Sequence, residues 1–151
     1  MSNHSVAVVG VLYPGVEPYL NAYLRALEQQ TFNRFDLVLA NDGLSDAESY
    51  LQNVRLKVVL HTASGSIAAI RRDLIETVVR AGYDFIVFTD CDDYISCNRL
   101  EVCNRLLGRS AIVSMTLMLF LRMARSSSYV IFPIGSMRGL YWTEVIFSTV
   151  T

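Results

Sequence analysis

Charge is scarce in this chain. Only 18% of its 151 residues are Asp, Glu, Lys or Arg, against about 25% in an ordinary domain, while 52% are hydrophobic, which excludes a disordered or low-complexity polypeptide. Histidine is nearly absent, His4 and His61 being the two present, and the three cysteines Cys91, Cys97 and Cys103 stand six apart, a spacing that matches no structural zinc pattern. An odd cysteine count behind Met1-Ser2-Asn3-His4, which has neither a basic n-region nor an apolar stretch before a cleavage site, predicts a reducing cytoplasm. No apolar run reaches the roughly 20 residues of a bilayer span. Ala111 to Leu121 is interrupted by Ser114 and Thr116, stops at Arg122, and reads as a buried strand or helix. Thirteen basic against fourteen acidic residues leave a net charge of −1, with no overall drive toward nucleic acid or an anionic membrane.

What is present is one domain's worth of chain with an uneven distribution of charge. Residues 1–108 carry nine basic and thirteen acidic side chains, whereas 109–151 carry four arginines and one acid, Glu144. Val6 to Leu12 is a continuous β-branched apolar run, as expected of a strand covered on both faces. Leu20, Tyr23, Leu24 and Leu27 recur at helical spacing between Glu17 and Gln30. Phe35 to Ala40 predicts a second strand closed by the turn Asn41-Asp42-Gly43. A short helix near 45–52, a strand over Leu56 to Leu60, a helix opened by Ser64-Gly65-Ser66 that runs to about Ala81 and is stopped by Gly82, a strand over Phe85 to Thr89 and a helix over about 98–107 follow. Tyr129 to Ile134 reads as a further strand. Alternation of strand and helix predicts an α/β fold with a mostly parallel sheet flanked by helices, in which ligands gather outside the carboxyl ends of the strands.

Tyr13, Asp42 and the cluster Asp90-Cys91-Asp92-Asp93 all fall at such ends. Three carboxylates within four residues repel one another, by about 4 kcal/mol for a pair 4 Å apart at an effective dielectric near 20. Along an extended chain Asp90 and Asp92 face one side and Asp93 the other. That arrangement suits a hard divalent cation held by one or two carboxylates with phosphate oxygens completing the shell. The plainer alternative is a solvated loop in which Asp93 or Ser96 caps the next helix.

Four landmarks, in order, resemble the nucleotide-sugar-binding half of a family 2 glycosyltransferase of the GT-A, Rossmann-like fold. Leu12-Tyr13-Pro14 ends the first strand, and Gln30-Thr31-Phe32 is similar to the family's Gln-Thr-Tyr step. Leu39-Ala40-Asn41-Asp42-Gly43-Leu44-Ser45-Asp46 resembles Val-Asp-Asp-Gly-Ser-x-Asp. Gly65-Ser66-Ile67-Ala68-Ala69-Ile70-Arg71-Arg72 resembles Gly-x-x-x-Ala-Arg-Asn. Phe88-Thr89-Asp90-Cys91-Asp92-Asp93-Tyr94 is similar to the family's form of the metal-binding Asp-x-Asp motif. The likeness spans about 5–107.

The resemblance implies a nucleotide-diphosphate-sugar donor, most simply a UDP sugar, and a glycan or lipid-linked acceptor. It implies that Leu12 and Tyr13 line the base pocket, that Asp42 accepts from the nucleobase, and that Arg71 pairs with the nucleotide side of the donor. Asp90 would contact the ribose or a metal-bound water, and Asp92, with Asp90, would hold Mn²⁺ or Mg²⁺ on the diphosphate. For Arg71 the alternative is a helix-surface salt bridge with Asp73 or Glu76. Cys91 reads as a spacer. The chain departs from the pattern at Asn41, where an aspartate is usual, and at Arg72, where an asparagine is.

Residues 1–108 are therefore expected to form the donor half, and 109–151 an apolar, acid-poor tail, with the acceptor half shortened. Inverting members use a later carboxylate as base, and Glu144 is the one acid after Glu101; the other reading of Glu144 is a surface charge. Tyr141 and Trp142 could stack on a sugar or simply pack. If the base and acceptor half are lacking, the chain is a truncated, non-catalytic donor-binding fragment, with apolar surface inviting self-association. A shifted reading frame after about Ser114 would explain the loss of acids: read one base earlier, the codons of Met115-Thr116-Leu117-Met118 allow Asn-Asp-Leu-Asp. Two other families with aspartates at strand ends, haloacid-dehalogenase-like phosphatases and response-regulator receivers, fit poorly. They need a lysine near the phosphoryl group and acids on the first strand, whereas the single lysine is Lys57, ahead of the cluster, and the first strand has no acid.

Overall fold

A computed structural model describes residues 5–107, 113–116 and 128–133. The described elements run β1 (Val6–Leu12), α1 (Glu17–Glu28), β2 (Phe35–Asn41), α2 (Ala47–Leu51), β3 (Val58–Thr62), α3 (Ile67–Arg80), β4 (Phe85–Phe88), α4 (Arg99–Leu107), β5 (Val113–Thr116) and β6 (Ser128–Pro133). The strands form one sheet in the order β3-β2-β1-β4-β6-β5. The first four are parallel, and β6 joins β4 antiparallel with Ile86 opposite Phe132. The fold is thus the expected α/β architecture with a mostly parallel sheet.

The central position of β1 explains its composition. It pairs with β2 on one side and β4 on the other, and all seven of its residues are buried. Alternate side chains enter two separate cores. Val6, Val8 and Leu12 pack with Leu20, Tyr23, Leu24 and Leu27 of α1 and with Leu100 and Cys103 of α4. Ala7, Val9 and Val11 pack on Ile70, Leu74, Ile75 and Val78 of α3. A polar residue on either face would have been left without water or a partner.

Several boundaries move by one or two residues from the sequence expectation, and two of these shifts have a cause in the structure. Helix α1 stops at Glu28 because the Gln30 amide turns inward, its Nε2 donating to Ala26 O at 3.0 Å. Strand β3 lies two residues later than Leu56 to Leu60, because parallel register with β2 pairs Leu37 with Val58 and Asn41 with Thr62. Of the tail, β5 and β6 are described; Glu144, Tyr141, Trp142 and most of the segment assigned to a shifted frame lie outside the described residues. Among the described residues no helix is long and apolar enough to cross a membrane, and the three cysteines are free.

Candidate functional site

The carboxyl ends of β1, β2 and β4 lie side by side, bringing together chain segments that are far apart in sequence. Where β1 and β2 end, Asp42 N donates to Leu12 O at 2.7 Å. The turn that follows is closed by Asn41, whose Nδ2 donates to Leu44 O at 3.0 Å and whose Oδ1 accepts from Leu44 N at 2.8 Å. An aspartate could accept but not donate there, so the asparagine latches the turn at both atoms. Gly43, at φ +86°, supplies the left-handed residue that the turn needs. Leu12 is fully buried, and Asp42 is half-buried at the rim.

Across this rim stands the acidic turn. Arg71, in the first turns of α3, places Nη2 2.7 Å from Asp90 Oδ1, with the two side chains 46% and 47% exposed. Ser66 caps α3, its Oγ accepting from Ala69 N at 3.3 Å. The helix-surface pairing considered for Arg71 is made by its neighbour: Arg72 lies 3.5 Å from Asp73 and 4.0 Å from Glu76. Tyr13, half-buried, brings its phenol within hydrogen-bonding reach of Asp92, which is exposed. Burial first, and then the Asp92 charge, push the Tyr13 hydroxyl up to about 12, so it stays protonated.

Cys91 points the other way. It is fully buried, and burial pushes its thiol up to about 12, which removes it as a nucleophile. It occupies space that only a glycine leaves free: a Cβ on Gly10 would stand 2.9 Å from Cys91 Sγ and 3.1 Å from Tyr23 Oη. Asp93 interacts electrostatically with the buried Arg99. The backbone donor of Leu100, in the first turn of α4, is taken by Gln30 Oε1 at 3.0 Å, so this bond comes from α1's exit and not from Asp93 or Ser96.

Asp90 and Asp92 offer hard oxygen donors, and the Arg71 guanidinium already sits on Asp90 as a stand-in cation. Among the described residues no three His, Cys, Asp or Glu side chains converge on one point. The donor set therefore fits a hard divalent cation that takes one or two carboxylates and draws its other ligands from phosphate and water, and it does not fit an all-protein cage.

Sequence reasoning placed Tyr13, Asp42, Arg71, Asp90 and Asp92 along this edge but gave no role to the residues beneath. Gln30, Tyr23 and Thr89 support the acidic turn from inside. The sequence signals were both at Gln30: it opens the Gln30-Thr31-Phe32 landmark, and it ends an apolar helical stripe, where burial obliges the amide to find partners.

No family model matches the chain. Among curated proteins it is 29% identical over 113 residues to the putative glycosyltransferase EpsH of Bacillus subtilis (strain 168), covering 72% of this chain and 32% of the relative. It is 31% identical over 98 residues to the uncharacterized glycosyltransferase EpsJ of the same organism, covering 60% of this chain and 28% of the relative. Among solved structures, S. aureus TarS 1-349 in complex with UDP-GlcNAc aligns with a TM-score of 0.57 at 26% identity, over 72% of this chain and 33% of that one. The mannosyltransferase PcManGT from Pyrobaculum calidifontis, in complex with GDP-Man and Mn²⁺, shares the fold with a TM-score of 0.58 at 16% identity, over 76% and 35% of the two chains. In fold and in sequence the chain is similar to the N-terminal part of GT-A type glycosyltransferases. The chain spans about a third of the length of the curated relatives it matches.

Proposed function

We propose that residues 1–108 are the donor-binding part of a glycosyltransferase that takes a nucleotide-diphosphate sugar, a UDP sugar by preference, with Mn²⁺ or Mg²⁺. The observation that carries this reading is the meeting of Arg71 with Asp90 and of Tyr13 with Asp92, beside the turn of Asp42. TarS, whose complex holds UDP-GlcNAc, supports the uridine preference, and PcManGT, whose complex holds Mn²⁺, supports the metal.

In this reading the nucleobase lies over the Leu12–Tyr13 main chain, and Asp42 accepts its N–H. Arg71 exchanges part of its pairing with Asp90 for the donor's phosphate oxygens, a charge-assisted contact. Asp92, with Asp90, holds the cation. A bound divalent cation supplies Lewis-acid stabilisation of charge on the departing nucleoside diphosphate. Tyr13, protonated at neutral pH, keeps Asp92 oriented. The acceptor, glycan or lipid-linked, and its base belong to the part of the reaction that residues 109–151 and any longer partner chain would serve, with Glu144 the acid that the tail offers. Three free thiols suit a reducing cytoplasm.

Calorimetry of UDP with and without Mn²⁺ tests the reading. Tighter binding with Mn²⁺ is expected in the wild-type chain and not in Asp92→Ala. Equal affinity in all four combinations would sink the metal assignment.

A further inference from the structure

Helix α1 and its exit meet the acidic turn twice. Tyr23 lies within α1 and Gln30 just past its C-cap, Gln29, and both side chains are buried toward the same segment, residues 89–100. The Tyr23 hydroxyl is fully buried, 2.6 Å from Thr89 Oγ1, and borders Gly10 together with Cys91 Sγ. Thr89 Oγ1 gives its own proton to Val9 O at 3.0 Å, so Tyr23 is the donor to Thr89. At the other end the Gln30 amide donates to Ser96 O at 2.7 Å and accepts from Leu100 N at 3.0 Å. Next to it Thr31 N donates to Cys97 O at 2.8 Å, and Thr31 Oγ1 to Glu101 Oε2 at 2.7 Å.

We propose that Tyr23 and Gln30 are positioning residues, through which α1 splints the acidic turn and sets where Asp90 and Asp92 stand before a ligand arrives. Neither side chain is at the rim: Tyr23 is 1% and Gln30 6% exposed. Thr89 is held by one, Ser96 and Leu100 by the other, and the exposed Asp92 lies between the two anchor points. An unsupported turn with three neighbouring carboxylates relaxes by spreading them apart, and binding must then recover the ordering. The inference rests on the reading of this turn as the cation and diphosphate site.

The test uses the full chain carrying Cys97→Ser, with Tyr23→Phe as the principal variant and Thr89→Val and Gln30→Met beside it. Alkylation of Cys91 and Cys103 is followed by peptide mapping, and UDP affinity in Mn²⁺ by calorimetry. Tyr23→Phe should label Cys91 about three- to tenfold faster and weaken UDP by a similar factor, the loss expected for one buried hydrogen bond. Cys103, buried in α4 and no part of the Tyr23–Thr89 bond, should keep its rate. Parallel acceleration at both cysteines would mean general destabilisation and overturns the proposal, as does an unchanged Cys91. A faster Cys91 with unchanged UDP affinity overturns it too. Should the wild-type chain bind no UDP, the donor reading fails, and the ratio of Cys91 to Cys103 labelling alone decides whether α1 holds the turn. If Tyr23→Phe does not fold, Thr89→Val removes the same bond from the other side.

Discussion

The two ends of the parallel sheet answer the same problem, a carboxylate beside a cation, in opposite ways. At the amino ends Asp36 is closed off: Lys57 and the Tyr83 hydroxyl both bind it. Burial works against its charge, but those hydrogen bonds and the Lys57 charge outweigh it and hold its carboxyl below the ordinary range. A cavity of about 440 Å³ opens there, lined by Arg34, Asp36, Arg55, Lys57 and Tyr83. At the carboxyl ends Asp90 and Arg71 stand nearly half in water, while the backbone under them is tied down. Empty volume marks where the chain fails to fill space. The proposed donor site leaves its charges exchangeable on a tied-down backbone, at the opposite end of the sheet from this cavity.

Removing the exchangeable charge should have the largest effect. Asp92→Ala is expected to weaken Mn²⁺-dependent UDP binding about 10- to 100-fold, in line with a charge-assisted contact of about 1.5–3 kcal/mol, with an unaltered melting temperature; calorimetry and thermal unfolding together check both halves. A rigid support predicts that Gly10→Ala is next. Its Cβ would meet Cys91 Sγ at 2.9 Å, and overpacking of this kind costs about 1–3 kcal/mol, measured as a lower urea midpoint.

Arg71→Ala against Arg72→Ala sharpens the comparison, since both are helix-surface arginines and only one faces the site. The first should lose about three- to tenfold in UDP affinity; the second should lose none, and both should stay within about 1 kcal/mol of wild-type stability. Equal losses would erase the distinction between the two arginines. The smallest effect is at the closed end. Because the folded-state pKa of Asp36 is depressed, its contribution is present above the unfolded pKa and is lost as pH falls through the folded one. Asp36→Asn should therefore lower stability by about 1 kcal/mol at pH 7, lessen the fall in melting temperature on acidification, and leave nucleotide binding alone.

Sequence by itself determined the order of the elements, because the β-branched run of Val6 to Leu12 and the helical stripe of Leu20, Tyr23, Leu24 and Leu27 are local patterns that burial imposes on the chain. It also put Asp42 and Asp90 at strand ends, since in a parallel sheet every such end faces one way. Register was beyond its reach: β3 was displaced by two residues because pairing with β2, not local propensity, decides where an edge strand begins. The resemblance pointed to Arg71 over Arg72, but the choice between the sheet edge and a helix-surface pairing with Asp73 or Glu76 depends on where β4 delivers Asp90. Tertiary structure alone turned Gln30 from the end of a helical stripe into the partner of Ser96 and Leu100, because those contacts join residues 66 and 70 positions apart, and no periodicity encodes a hydrogen bond over that distance.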